Sequence, residues 1–183
     1  MSNLVNKNKN LLVENIIVFF LFTVFLVFKS LKTLSKIFSY GIFITASDSE
    51  IFKMARSASI LCTTPRVGLN TINKSNVLLD GLIGSNLDPG EVFSFSELSA
   101  KPKYTIKTEG EKGGKIFPGG RYEALKNKKL KIDSYGCGDS FAAGILYGMA
   151  SKWDIDKSLN LAKILGRNAS EFFGPYEKKI RNN

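Results

Sequence analysis

The stretch "DSYGCGDSFAAG", Asp133 to Gly144, decides how this chain reads. Gly136 and Gly138 flank Cys137 and lead into Asp139, where an apolar helix begins. A glycine-rich turn at a helix N-terminus attracts anions, because unpaired backbone N–H groups and the helix dipole act together there. A carboxylate at that point repels an anion unless it takes up a proton. Asp139 is therefore suited to accept a proton from a hydroxyl attacking a phosphoryl group, while the adjacent amides hold the developing charge. The plainer reading makes Asp139 an acid complementing the helix dipole, worth under about 1 kcal/mol. Both readings stand on spacing alone.

Helix 139–150 is apolar nearly all round, through Phe141, Ala142, Ala143, Ile145, Leu146, Tyr147 and Met149, and is expected to be buried. Gly144 and Gly148 lie one turn apart and allow a close neighbour. That burial would aim the glycine turn at a fixed point.

Upstream and downstream, short apolar runs alternate with helical ones. "YGIFIT", "SILCTT" and "NVLLDGLIGS" read as strands, and "SDSEIFKMARSA" as a helix capped near Ser47 or Ser49. "DPGEVFSFSELSA" reads as a helix opened by a Pro-Gly turn. "KYTIKTEG", "GGKIFPGG" and "KLKID" read as further strands, followed by the helix after Gly138 and "DIDKSLNLAKILGRNASEFF". Such alternation predicts an α/β domain on a largely parallel sheet.

Residues 1–39 differ from this domain at 40–183. An Asn/Lys-rich leader precedes a run from Ile16 to Phe28 that is apolar apart from Thr23. Thirteen residues fall short of the roughly 20 that span a bilayer, and no small-residue cleavage site follows. An uncleaved membrane anchor and a buried strand or helix are both compatible with 16–28.

Composition narrows the chemistry. The 183 residues carry a net charge of +10, and residues 101–183 hold 17 Lys+Arg against 9 Asp+Glu. That balance suits phosphates or acidic surfaces. Without an arginine-rich helix, zinc spacing or aromatic RNA-binding motif, nucleic acid is not the expected partner. The absence of histidine removes Ser/His and Cys/His nucleophile pairs and His-ligated metals. Two lone cysteines, Cys62 and Cys137, form no disulfide framework and suit a reducing, cytoplasmic setting.

The stretch "DSYGCGDSFAAGILYG" resembles the C-terminal signature D-T-x-G-A-G-D-x-F of the PfkB/ribokinase family of carbohydrate kinases. Ser134 stands for Thr and Cys137 for Ala, while Gly136, Gly138, Asp139 and Phe141 match. The resemblance implies an anion hole at Gly136, Cys137 and Gly138, a general base at Asp139, and a monovalent-cation ligand, K⁺ in character, at Asp133. "KTEGEKGGKIF" is similar to the family's T-x-G-x-x-G turn, which puts Thr108, Gly110 and Gly113 beside ATP. "GSNLDPGE" resembles its N-x-x-E element for Mg²⁺ and phosphates, with Asp88 in place of Asn and Glu91 matching. "GRNASEFFGPYE" resembles the terminal helix bordering adenine, which implicates Asn168, Ala169 and Gly174.

The implied fold is a ribokinase-like three-layer α/β/α domain on a mostly parallel sheet, incomplete at the N-terminal side. The implied activity is ATP-dependent phosphorylation of a sugar or nucleoside hydroxyl. The resemblance covers about residues 40–178, and the family's sugar-binding N-terminal half has no counterpart here. The competing expectation is thus a catalytically inactive, truncated remnant that binds nucleotide or a partner, with residues 16–28 as a tether.

Overall fold

The computed structural model describes residues 41–126 and 132–172. Six strands form one sheet in the order of the chain: β1 (Gly41–Ile44), β2 (Ile60–Thr63), β3 (Gly81–Ser85), β4 (Tyr104–Thr108), β5 (Gly114–Phe117) and β6 (Arg121–Tyr122). The first four run parallel, and β5 and β6 return antiparallel. Helices α1 (Ser49–Ala55) and α2 (Leu69–Ser75) connect the early strands, and α3 (Cys137–Ala150) and α4 (Ile155–Ala169) follow the sheet.

Strand periodicity of two sorts the apolar residues between two cores. Leu61 and Leu82 join Ile44, Phe52, Ala55 and Ile72 on the face covered by α1 and α2. Their chain neighbours Cys62 and Ile83 join Ile106, Phe141, Ile145, Met149 and Ala162 on the face covered by α3 and α4. The result is the three-layer α/β/α arrangement expected from the sequence. Cys62 is wholly buried, and burial pushes its thiol pKa far up, so it serves as a small core side chain.

Three sequence readings are corrected. Residues 88–100 form no α-helix but a loop with one 3₁₀ turn, Phe95–Glu97. The Asp88 carboxylate accepts the Gly90 amide at 2.9 Å, and the Glu91 side chain turns back to the Ser85 amide at 2.6 Å. These bonds satisfy locally what a first helical turn would use. Phe93 and Leu98 of this loop fill the α1–α2 core where a crossover helix was expected. The cap of α1 is Asp48, which accepts the Glu50 amide at 2.9 Å, and neither neighbouring serine does so. Helix α2 has no counterpart in the sequence reading; at seven residues without a side-chain N-cap it leaves little signal. The predicted strand 129–133 and the run 16–28 fall partly or wholly outside the described residues, as does all of 1–39. Among the described residues no helix is long and apolar enough to cross a membrane.

Helices α3 and α4 meet at the glycine pair. A Cβ on Gly144 would lie 2.6 Å from the Ala162 Cα, and one on Gly148 2.3 Å from the Ser158 Oγ. Asp154 caps α4 by accepting the Lys157 amide at 2.7 Å, and the Ser158 hydroxyl returns to the Asp154 carbonyl at 2.8 Å. Replacing Gly144 by Val must push the helices apart. We expect a loss of about 1–3 kcal/mol, read as a lower urea midpoint at unchanged slope.

Candidate active site

The carboxyl ends of β2, β3 and β4 and the start of α3 converge. Ligands of open α/β sheets bind at that edge.

Gly136 caps α3 with φ 81°, a left-handed conformation that only glycine adopts at little cost. No side chain caps this helix. The Cys137 amide bonds the Ser134 carbonyl at 3.3 Å and the Ser140 amide the Gly136 carbonyl at 2.9 Å. Helix geometry leaves the Gly138 and Asp139 amides without intrahelical acceptors. A Cβ on Gly138 would meet no atom within 4 Å, so the space beside Gly138 is open. The loop ahead is tied down, since the Ser170 carbonyl accepts the Ile132 amide at 2.8 Å and the Asp133 amide at 3.4 Å. The Asp133 carboxylate accepts the Tyr135 amide at 3.0 Å and braces the same turn.

A cleft of about 180 Å³ opens beside this helix start. Cys137, Gly138, Thr108, Gly110 and Gly113, all singled out from sequence, line it. Its apolar wall is Tyr122 stacked on Phe141, ring centroids 6.1 Å apart. The glycine turn after β4 is held on three sides. Its Glu109 amide bonds the Gly113 carbonyl at 2.7 Å, and its Glu109 carboxylate accepts Arg121 at 2.7 Å and Asn86 at 3.0 Å. Those two bonds keep the Glu109 carboxyl below its usual range.

On α4 the sequence reading and the geometry diverge by a few positions. Ala169 is buried and Asn168 is exposed, its Oδ1 accepting Arg167 at 3.0 Å. Lys163, Gly166, Arg167 and Ser170 line the cleft instead. Lys163 and Arg167 share a helix face by their i, i+4 spacing, the signal that could have found them. Gly174 lies outside the described residues.

The acid pair is joined by a residue the sequence reading missed. Arg66, in the 3₁₀ turn Pro65–Val67 after β2, donates from Nε to Glu91 at 3.1 Å and from its terminal nitrogen to Asp88. Glu91 also accepts the Thr64 hydroxyl at 3.1 Å as well as the Ser85 amide, so both its oxygens are engaged. The sequence marks Arg66 only as a cation just past a strand's carboxyl end. Among the described residues no three or more His, Cys, Asp or Glu side chains form a metal-holding group.

Asp139 keeps surface open to solvent, yet the protein around it disfavours its charged form. Burial raises its pKa most, the Glu91 carboxylate raises it further, and Arg66 draws it back. Asp139, Glu91 and Arg66 therefore form one electrostatic unit.

No family model and no curated protein matches the chain. Solved structures do. The match to ribokinase from Thermotoga maritima has a TM-score of 0.59 at 15% identity, over 81% of this chain and 55% of that one. The chain has the ribokinase-like fold. A Burkholderia thailandensis nucleoside kinase in complex with ADP-inosine matches with TM-score 0.59 and 24% identity, over 69% of this chain and 44% of that one. A Methanocaldococcus jannaschii nucleoside kinase, described as an archaeal member of the ribokinase family, matches with TM-score 0.58 and 20% identity, over 74% and 50%. The chain spans about half the length of these structures.

The electrostatics are testable without any ligand. In a carbon-detected NMR titration, Asp139 should titrate above the usual carboxylate range. Glu91→Gln should lower its pKa and Arg66→Gln should raise it. Because the folded-state pKa is the higher one, ionised Asp139 opposes folding once pH exceeds it. Asp139→Asn should therefore cost no stability at neutral pH.

Proposed function

We propose that this protein, as a member of the PfkB/ribokinase family, transfers the γ-phosphoryl group of ATP to a hydroxyl of a sugar or nucleoside. The observation that carries the reading is the conjunction at α3: open first-turn amides beside a cleft, next to a carboxylate whose affinity for a proton is raised. In this role Asp139 takes the acceptor hydroxyl's proton as the oxygen attacks phosphorus. The open amides of Gly138 and Asp139, on the turn that Gly136 and Cys137 shape, stabilise charge on the transferring group and on the ADP leaving oxygen.

The cleft suits the nucleotide. Its Tyr122–Phe141 wall offers an apolar face to a base, and Thr108, Gly110 and Gly113 form a turn with no bulky side chain in the way. Lys163 and Arg167 supply positive charge along the opposite helix. On α4 this reading gives the nucleotide edge to Lys163, Gly166, Arg167 and Ser170 rather than to Asn168 and Ala169.

Asp88 and Glu91 offer hard oxygen donors, the kind Mg²⁺ prefers. Two carboxylates against the single Arg66 guanidinium leave a net negative charge, which a cation on the nucleotide phosphates offsets. Since every Glu91 oxygen is already hydrogen-bonded, Mg²⁺ fits here through its own waters and the phosphates rather than a protein cage. Mg²⁺ would supply charge neutralisation on the phosphates. Asp133 is the residue we assign to a monovalent cation such as K⁺.

Coupled ADP release against ribose, fructose, fructose phosphates and nucleosides tests the reaction. Asp139→Asn should retain nucleotide binding and lose about 10²–10⁴-fold in turnover, because Asn keeps the shape and accepts no proton. Wild-type turnover should fall as pH drops through the raised Asp139 pKa. Near wild-type turnover in the mutant would remove Asp139 as the base. The alternative reading is nucleotide binding without turnover. Bound nucleotide with no acceptor-dependent ADP release would support it.

Gly138→Val separates site from scaffold. The added side chain meets no protein atom near its Cβ, so thermal stability should hold, while nucleotide affinity falls because a branched side chain now stands at the cleft wall that Gly138 leaves bare.

A further inference from the structure

Arg66 is the least buried member of its cluster. Its side chain is 64% exposed, against 11% for Glu91. Its backbone has little freedom. Thr64 caps the turn by accepting the Arg66 amide at 3.3 Å, and its hydroxyl is anchored on Glu91. Pro65 presses on β3 so closely that a Cβ on Gly84 would lie 2.7 Å from its Cδ. A rigid stem thus carries a guanidinium whose two contacts, Glu91 and Asp88, leave three of its five N–H donors facing solvent.

Its placement is specific. Arg66 stands just past the carboxyl end of β2 and bonds both acids of the proposed Mg²⁺ site, and its charge also acts on Asp139. Arginine presents a planar fork matched to two phosphoryl oxygens, and it keeps its charge at every working pH.

We propose that Arg66 is a ligand of the terminal phosphoryl group of the nucleoside triphosphate. It turns its free donors to the γ-phosphoryl oxygens while Glu91 holds the Nε edge. The inference rests on the kinase reading above and adds a residue that discriminates triphosphate from diphosphate. ADP lacks the group that Arg66 reaches, so the residue contributes little to ADP affinity and favours product release.

The test is calorimetric binding of Mg·AMP-PNP and Mg·ADP to the full 183-residue protein, with melting curves as a folding control. Arg66→Gln should weaken Mg·AMP-PNP by about 10–100-fold, the size of one lost charge-assisted bond, and leave Mg·ADP nearly unchanged. Arg66→Lys keeps the charge without the fork, should recover part of the loss, and carries the test if Arg66→Gln does not fold. Lys157→Gln, beside Trp153 at the start of α4, controls for net charge and should change neither affinity. Equal weakening of both nucleotides, or of neither, overturns the role of Arg66 while leaving the kinase reading intact. Failure of the wild-type protein to bind either nucleotide overturns the kinase reading and this proposal together.

Discussion

Everything at the proposed reaction centre depends on how closely α3 lies against α4. Gly144 and Gly148 remove the side chains that would separate the two helices, and Ala162 and Ser158 fill the space. That contact, with Phe141, Ile145 and Met149 buried on the sheet, fixes both the axis and the depth of α3. The helix start cannot tilt without disturbing a core layer. Ser170, just past the end of α4, then holds the incoming loop at Ile132 and Asp133. One helix pair thereby sets both the direction of the amides and the path of the chain that leads to them.

Charge is distributed over the sheet ends unevenly, and the difference separates structure from chemistry. At the amino end of β2 and β3, Arg56 bonds Asp80 and the carbonyls of Leu78 and Ala58, while Asp80 also takes the Leu61 amide. That pair is a closed, largely shielded tie. At the carboxyl end the Arg66 cluster keeps its cation in solvent and its acids in excess. The first arrangement stabilises a corner; the second leaves a site that further charge can complete.

Much of this was legible from the chain alone, for reasons that differ by element. The period-two pattern of Leu61–Cys62 and Leu82–Ile83 serves both faces of a parallel sheet, and the apolar run 141–149 could only be buried. The glycine turn at 136–138 announced itself because glycines and a helix start leave amides unpaired. The region 88–100 misled because helix-forming residues follow Pro89-Gly90, while Glu91 spends its carboxylate on three partners distant in sequence or outside the turn. Arg66 was missed for the same reason. Its significance lies in two acids 22 and 25 residues away, a relation no local pattern records. On α4 the amphipathic face was visible, but which turn meets the cleft depends on the α3 crossing.

The order of the sheet bears on how the protein comes to be made. Each strand lies beside the one that precedes it in the chain, from β1 through β6, with no strand inserted later between earlier neighbours. Pairings of modest sequence separation close small loops and cost little chain entropy. The described sheet can therefore grow by addition at one edge as the ribosome delivers it. Helices α3 and α4 emerge after these six strands and lie down on them. On that order of events, the chemistry-bearing turn at Gly136–Asp139 is assembled only after its support exists.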